Sequence, residues 1–221
     1  MRFSEAMRQV DESNTLEPGR FKKRRETGDY ILDNFMSWWS NPGSAEDSYF
    51  SAFSLSNKLF YEAVRCYEYG LFEEAMIAIR DAIDAALFLA VNYNPNLNAD
   101  KFNTGLSPFG ERNEDGSLKD NWSYIMQKAI ELRILNDDEL NKINKLRDIG
   151  NFSAHIASRQ ERQLVEYSKK LAEGKSWKEI SSEFEREPFM SEGDSRKKLE
   201  EASKYITLIR KRYFDHYIEP H

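Results

Sequence analysis

Phe72-Glu73-Glu74-Ala75-Met76-Ile77-Ala78-Ile79-Arg80-Asp81-Ala82-Ile83-Asp84-Ala85-Ala86-Leu87-Phe88-Leu89-Ala90 is the stretch on which the fold class turns. Within it Phe72, Ala75, Met76, Ile79, Ala82, Ile83, Ala86, Leu87 and Ala90 recur at steps of three and four, the period of a helix with one buried face. Immediately upstream, Tyr49, Phe53, Phe60, Val64 and Tyr67 mark one face of a preceding helix, which Gly70 stops. The two helices therefore form an antiparallel hairpin joined by a minimal loop.

The same period continues outward in both directions. Only ten Gly and six Pro punctuate 221 residues, strand signals are absent, and the expectation is an all-α fold, an antiparallel helical bundle. Upstream, residues 1–19 read as a lead-in, and Arg20–Trp39 as an amphipathic helix packed at its end through Phe35, Met36, Trp38 and Trp39. Asn41-Pro42-Gly43-Ser44 breaks it, so 1–45 is expected as an N-terminal extension and 46–221 as the bundle. Downstream, Asn92–Asn121 is rich in Asn, Gly, Pro and Asp without periodicity, and is expected to be a functional loop or a mobile insertion.

Trp122, Ile125, Met126, Ala129 and Ile130 open a further helix. Asn136-Asp137-Asp138-Glu139 caps the next, which carries Leu140, Ile143 and Leu146 and is expected to bend or break at Gly150-Asn151. A helix over 152–171 ended by Gly174, a short one over 176–184, and a closing helix with Leu199, Ala202, Ile206, Ile209 and Tyr213 complete the reading. Phe72, Ile79, Ile83, Leu87, Leu140, Ile143, Ile206 and Ile209 are the expected core.

A net charge of −6 does not favour wholesale attraction to a polyanion, although it leaves room for a local basic face. Cys66 is the only cysteine, which excludes an intramolecular disulfide and a Cys-rich metal site and fits a reducing compartment. Met1–Val10 lacks the apolar run of a signal peptide, and nothing approaches the ~20 apolar residues that span a bilayer. A cytoplasmic protein without membrane attachment is expected.

Three histidines, His155, His216 and His221, restrict the chemistry available. His155 stands in Leu146-Arg147-Asp148-Ile149-Gly150-Asn151-Phe152-Ser153-Ala154-His155, where Asn151 and His155 share a helix face if the helix continues. A neutral imidazole can take the proton of a 2′-hydroxyl, a guanidinium can neutralise phosphorane oxygens, and an amide can orient either group. No cofactor or metal is needed for that chemistry. The competing structural roles are a surface ion pair for Arg147, a helix cap for Asn151 and a backbone hydrogen bond for His155.

Two blocks resemble the HEPN superfamily, the higher eukaryotes and prokaryotes nucleotide-binding domain, in its branch of prokaryotic domain-of-unknown-function proteins. The first runs from Ala63-Val64-Arg65-Cys66-Tyr67-Glu68-Tyr69-Gly70-Leu71-Phe72-Glu73-Glu74-Ala75 into Ala78-Ile79-Arg80-Asp81-Ala82-Ile83-Asp84-Ala85-Ala86-Leu87. The second is Leu146-Arg147-Asp148-Ile149-Gly150-Asn151 with Ala154-His155. The similarity spans about 50–214 and leaves the N-terminal segment and a helical insertion of about 156–190 as additions. The resemblance implies a homodimeric helical bundle whose active members are metal-independent endoribonucleases, of toxin or phage-defence type. Carried over, Arg147 is the motif arginine, Asp148 the polar residue after it and His155 the motif histidine. Seven residues separate Arg147 from His155, a longer spacer than the active families usually carry.

Three further features carry a functional reading beside a structural one. Arg80 and Asp84, four apart, are either a helix-stabilising ion pair or, through Arg80, a phosphate contact and support for the motif, in which substrate binding would fall to Arg80 and Asp148. Arg20, Lys22, Lys23, Arg24 and Arg25, with Phe21, Tyr30 and Trp38 nearby, are either a solvated face or a nucleic-acid contact. Leu171–Ile180, with Ser176 as an N-cap, resembles the opening of a helix-turn-helix, but Pro188 and Gly193 fall where the recognition helix would lie. The leading expectation is an HEPN-like RNA endonuclease. The alternative is a non-catalytic helical module binding a protein or nucleotide partner.

Overall fold

The structure, a computed structural model, describes residues 18–36, 53–95, 106–154, 165–176, 179 and 190–217. Its elements are α1 (Pro18–Met36), α2 (Ser54–Glu68), α3 (Phe72–Asn92), β1 (Tyr93–Pro95), β2 (Leu106–Pro108), α4 (Trp122–Glu131), α5 (Asp137–Ala154) and α6 (Glu192–Tyr217). The fold is an all-α bundle, and α3 is its centre, packed against α2, α4, α5 and α6. Among the described residues no helix is long and apolar enough to cross a membrane.

The hairpin forms as the apolar stripes require. At the end of α2, Gly70 takes φ +77°, a left-handed conformation that costs a glycine little. Its N–H donates to the Tyr67 carbonyl at 2.9 Å, and that of Leu71 donates to the Cys66 carbonyl at 2.8 Å. This double closure satisfies the last carbonyls and reverses the chain within two residues. Ile79, Ile83, Leu87, Ile143, Ile206 and Ile209 are buried as expected, whereas Phe72 and Leu140 are only partly buried and pack against the core from its margin. Both sit in the first turn of their helices, where the neighbouring helix no longer covers the side chain completely.

The helix α1 belongs to this same core through Ile31 and Phe35, the latter with its ring 4.3 Å from that of Phe60. Its basic run is divided. Arg20, Lys22, Lys23 and Arg25 are exposed, but Arg24 turns inward and its Nε donates to the Glu68 carbonyl at 2.9 Å. The Glu68 side chain is fully buried, held by Arg65 through one carboxylate oxygen, while Oε1 has no hydrogen-bond partner among the described residues. Gly28 makes this possible, because a Cβ there would lie 2.5 Å from Glu68 Oε1.

Burial pushes the Glu68 carboxyl above the usual carboxylate range, with the Arg65 interaction only partly offsetting it. The folded chain therefore keeps this proton to a higher pH than the unfolded chain. Stability from this group is greatest below the ordinary glutamate pKa and declines as pH rises from there through the raised value. Glu68→Gln should flatten that decline in urea midpoints measured from about pH 4 to about pH 8. An unaltered slope would show that Glu68 titrates normally.

The segment after α3 departs from expectation. β1 and β2 form a short antiparallel ladder, pairing Tyr93 with Pro108, Asn94 with Ser107 and Pro95 with Leu106. Three residues per strand are too few for a period-two pattern to show in the sequence. Residues 96–105 lie outside the described residues, and 106–121 form a hydrogen-bonded excursion. The buried Asn92 anchors it, its carbonyl accepting from the N–H groups of Phe109 and Gly110 at 2.9 and 3.2 Å. An Arg112–Leu118 bridge and a Glu111–Lys119 ion pair at 2.7 Å close the turn. Polar groups thus replace the apolar face that the segment lacks.

α4 and α5 are capped by asparagines. Asn121 Oδ1 accepts from the Tyr124 N–H at 2.9 Å. Asn136 and Glu139 exchange the reciprocal bonds of a capping box at 3.0 and 2.9 Å, as the sequence predicts. Glu139 also receives the Arg212 guanidinium, tying the start of α5 to α6. Of the expected 152–171 helix, 152–154 close α5, 165–172 are helical, and the rest lies outside the described residues. Ser176 and Glu179 make a second capping box, with the Ser176 N–H donating to Glu179 at 2.9 Å. Of the two residues that speak against a recognition helix beyond it, Pro188 lies outside the described residues and Gly193 stands in the first turn of α6.

Candidate functional site

α3 and α5 cross antiparallel, and one column of each helix carries the polar residues that meet there. On α3 these are Arg80 and Asp84, a turn apart; on α5 they are Asn151 and Arg147, also a turn apart. The crossing pairs them one to one. Arg147 Nε donates to Asp84 Oδ1 at 2.9 Å and to Oδ2 at 3.2 Å, and Arg80 Nη1 donates to Asn151 Oδ1 at 3.3 Å. The ion pair expected within α3 between Arg80 and Asp84 is therefore not made. Arg80 instead binds its neighbour Asp81, through Nε at 2.9 Å and Nη2 at 2.6 Å. Asp84 is better served across the crossing, where partial burial weakens solvent screening of the charges.

Gly150 explains how close the helices come. The expected bend is absent, and α5 runs helical through Gly150 to Ala154. A Cβ at this position would stand 2.6 Å from Arg80 Cβ and 2.7 Å from the Met76 carbonyl oxygen. The glycine is required by the contact between helices, with no special backbone conformation.

Trp122, at the first turn of α4, completes the setting of Arg147. The guanidinium carbon lies 4.2 Å from the indole centroid, a cation–π stack. The indole is itself oriented, since Nε1 donates to Asn144 Oδ1 at 2.7 Å. Trp122 and Asp84 were absent from the sequence-based site. No local signal in the sequence links Trp122 with Arg147 and Asn144, which meet only through the packing of the helices.

Arg147 is thus fixed in two directions, by Asp84 at Nε and by Trp122 below its plane. Among the described residues neither Nη atom has a hydrogen-bond partner. The residue borders a cleft of about 340 Å³ lined by Asp84, Ala85, Phe88, Asp120, Trp122, Ile125 and Arg147. Burial raises the Asp84 carboxyl above its ordinary value, against the opposing pull of Arg147. A guanidinium held this way presents its forked end without losing further side-chain freedom on binding an oxyanion.

The remaining sequence-based site residues are distributed unevenly. Asn151 is in the cluster, but its oxygen serves Arg80 and not Arg147. Arg80 reaches α5 through Asn151. Asp148 is exposed, a helical step of about 100° from Arg147, and takes no part in the cluster. His155 lies outside the described residues. Compared with family models, with curated proteins and with solved structures, the chain matches none of them.

Proposed function

We propose that the chain is an HEPN-like protein that acts on RNA, with Arg147 holding a phosphate and His155 serving as the base that removes the 2′-hydroxyl proton. The observation that supports this best is Arg147 itself, clamped by Asp84 and Trp122 at a cleft with its Nη groups unspent. An arginine needed only for helix packing gains nothing from an open fork. The imidazole takes the 2′-hydroxyl proton, the 2′-oxygen attacks the adjacent phosphorus as the bond from phosphorus to the 5′-oxygen breaks, the 5′-oxygen leaves with a proton drawn from water, and a 2′,3′-cyclic phosphate remains, with the guanidinium neutralising the phosphorane oxygens. Asp84 and Trp122 are positioning residues in this reading, and Arg80 positions Asn151 one turn further along α5.

A second copy of the chain would supply a second Arg147 and His155, and an isologous pair is the economical way to build a symmetric groove around a phosphodiester. The dimer is part of the proposal and is checked by light scattering at micromolar concentration, where a mass of one chain would count against it. The activity is tested by incubating the protein and its His155→Ala variant with mixed RNA in EDTA. Cyclic phosphate ends produced by the first and not the second are the expected result. Intact RNA, together with a co-purifying protein or nucleotide, would establish the non-catalytic module instead.

A further inference from the structure

The cleft beside Arg147 holds more than the guanidinium that would bind a phosphate. Two carboxylates, Asp84 and Asp120, stand at it beside the Arg147 guanidinium, so the cleft offers hydrogen-bond acceptors next to the one group that would hold a phosphate. Its walls are Ala85, Phe88, Ile125 and the indole of Trp122, and its volume of about 340 Å³ lies within the usual range of small-ligand pockets. Apolar and aromatic walls with acceptors, and an indole N–H already given to Asn144, suit a flat heteroaromatic ring with N–H groups on its edge.

The acceptors are available. Asp84 receives only Arg147 Nε among the described residues, which leaves lone pairs on both of its oxygens. Asp120 is exposed and accepts no hydrogen bond from the described residues. A carboxylate only accepts, and its two oxygens match two donors side by side. Of the four RNA bases, guanine alone carries a ring N–H next to an exocyclic amine on one edge. Adenine and cytosine set their amine beside an acceptor nitrogen, which a carboxylate repels, and uracil sets its single N–H between two carbonyls.

From this we infer that the cleft is a guanine subsite, with Asp120 taking the N1–H and amine edge and Trp122 and Phe88 bounding the ring. The inference rests on the RNA reading in one respect: it makes the preferred substrate an RNA with guanine beside the phosphate that Arg147 holds. The base itself can also arrive as a free nucleotide, and the experiment separates the two sources.

Fluorescein-labelled 2′-O-methyl heptamers, which cannot be cleaved by 2′-oxygen attack, would be titrated by anisotropy with G, A, C or U at the centre of an otherwise constant sequence. In parallel, 5′-GMP and 5′-AMP would be titrated by calorimetry. The G heptamer should bind about tenfold more tightly than the others, as expected for one paired set of base-edge hydrogen bonds. Asp120→Asn, which places an amide donor against the guanine donors, should bring that ratio close to one. Because Asp120 is exposed, its variant should melt with the wild type, and Arg147→Lys should weaken all four heptamers alike. Equal wild-type affinities that still depend on Arg147 would overturn the subsite and keep the RNA reading, as would a G preference that survives Asp120→Asn. GMP binding that depends on Asp120, with no heptamer bound, would support the subsite and overturn the RNA reading. Binding of neither would overturn both.

Discussion

Arg147→Lys should lower RNA affinity or cleavage by roughly ten- to a hundredfold, because lysine keeps the charge but loses the fork that makes paired, charge-assisted hydrogen bonds worth about 1.5–3 kcal/mol. The structure also gives this residue a part in folding. A site residue on a plain surface would be neutral to stability, yet Arg147 pairs with a part-buried Asp84 and covers the face of Trp122. Arg147→Ala would leave that carboxylate without its partner, at a cost of about 1–3 kcal/mol, which lowers the melting temperature by roughly 2–4 °C per kcal/mol in a chain of this size. The double variant Asp84→Asn with Arg147→Gln removes both charges together while keeping similar shapes. It should melt much closer to the wild type than Arg147→Ala and still fail to bind RNA. Recovery of RNA binding along with stability would show that Arg147 is only a packing residue.

Gly150→Ala should destabilise the protein by about 1–3 kcal/mol, and Gly150→Leu by more. The sign is informative because helix propensity argues the other way: alanine inside a helix is favoured over glycine by ~1 kcal/mol. The steric term dominates here. The added Cβ would fall 2.7 Å from the Met76 carbonyl oxygen, a backbone atom that moves only if α3 and α5 separate. Separation would also stretch the Arg147–Asp84 and Arg80–Asn151 bonds, so any RNA-dependent property should weaken with the melting temperature. A variant that melts above the wild type would mean the helices have slack at this crossing.

The site is only half legible in the sequence, and its residues show why. Arg147, Asn151 and His155 stand within one segment of ten residues, so their proximity along the chain is legible in the sequence. Trp122 looked like the first apolar residue of a helix, since nothing local connects it to a guanidinium 25 positions later in the chain. Asp84 was assigned to Arg80, its neighbour by helical spacing, when its partner is 63 residues away. An isolated glycine in a helix, such as Gly150, suggests a bend, and a close helix contact leaves the same mark on the sequence. Arg24 looked like one more cation in a solvated run, and only the packing of α1 against the end of α2 turns it toward the Glu68 carbonyl.

The features the amino-acid sequence determined on its own are those settled within a few residues. They are the stripe from Phe72 to Ala90, the turn at Gly70, the Asn136–Glu139 capping box and hence an all-α fold, since helical hydrogen bonds and caps link residues three to five apart. Tertiary structure decided which faces meet and in what register. That register sets Arg147 against Asp84 and Trp122, presses Gly150 onto the Met76 carbonyl, and buries Glu68 beside Gly28. Each of these depends on the relative position of two helices, a quantity fixed by the packing of the whole core and written in no single segment.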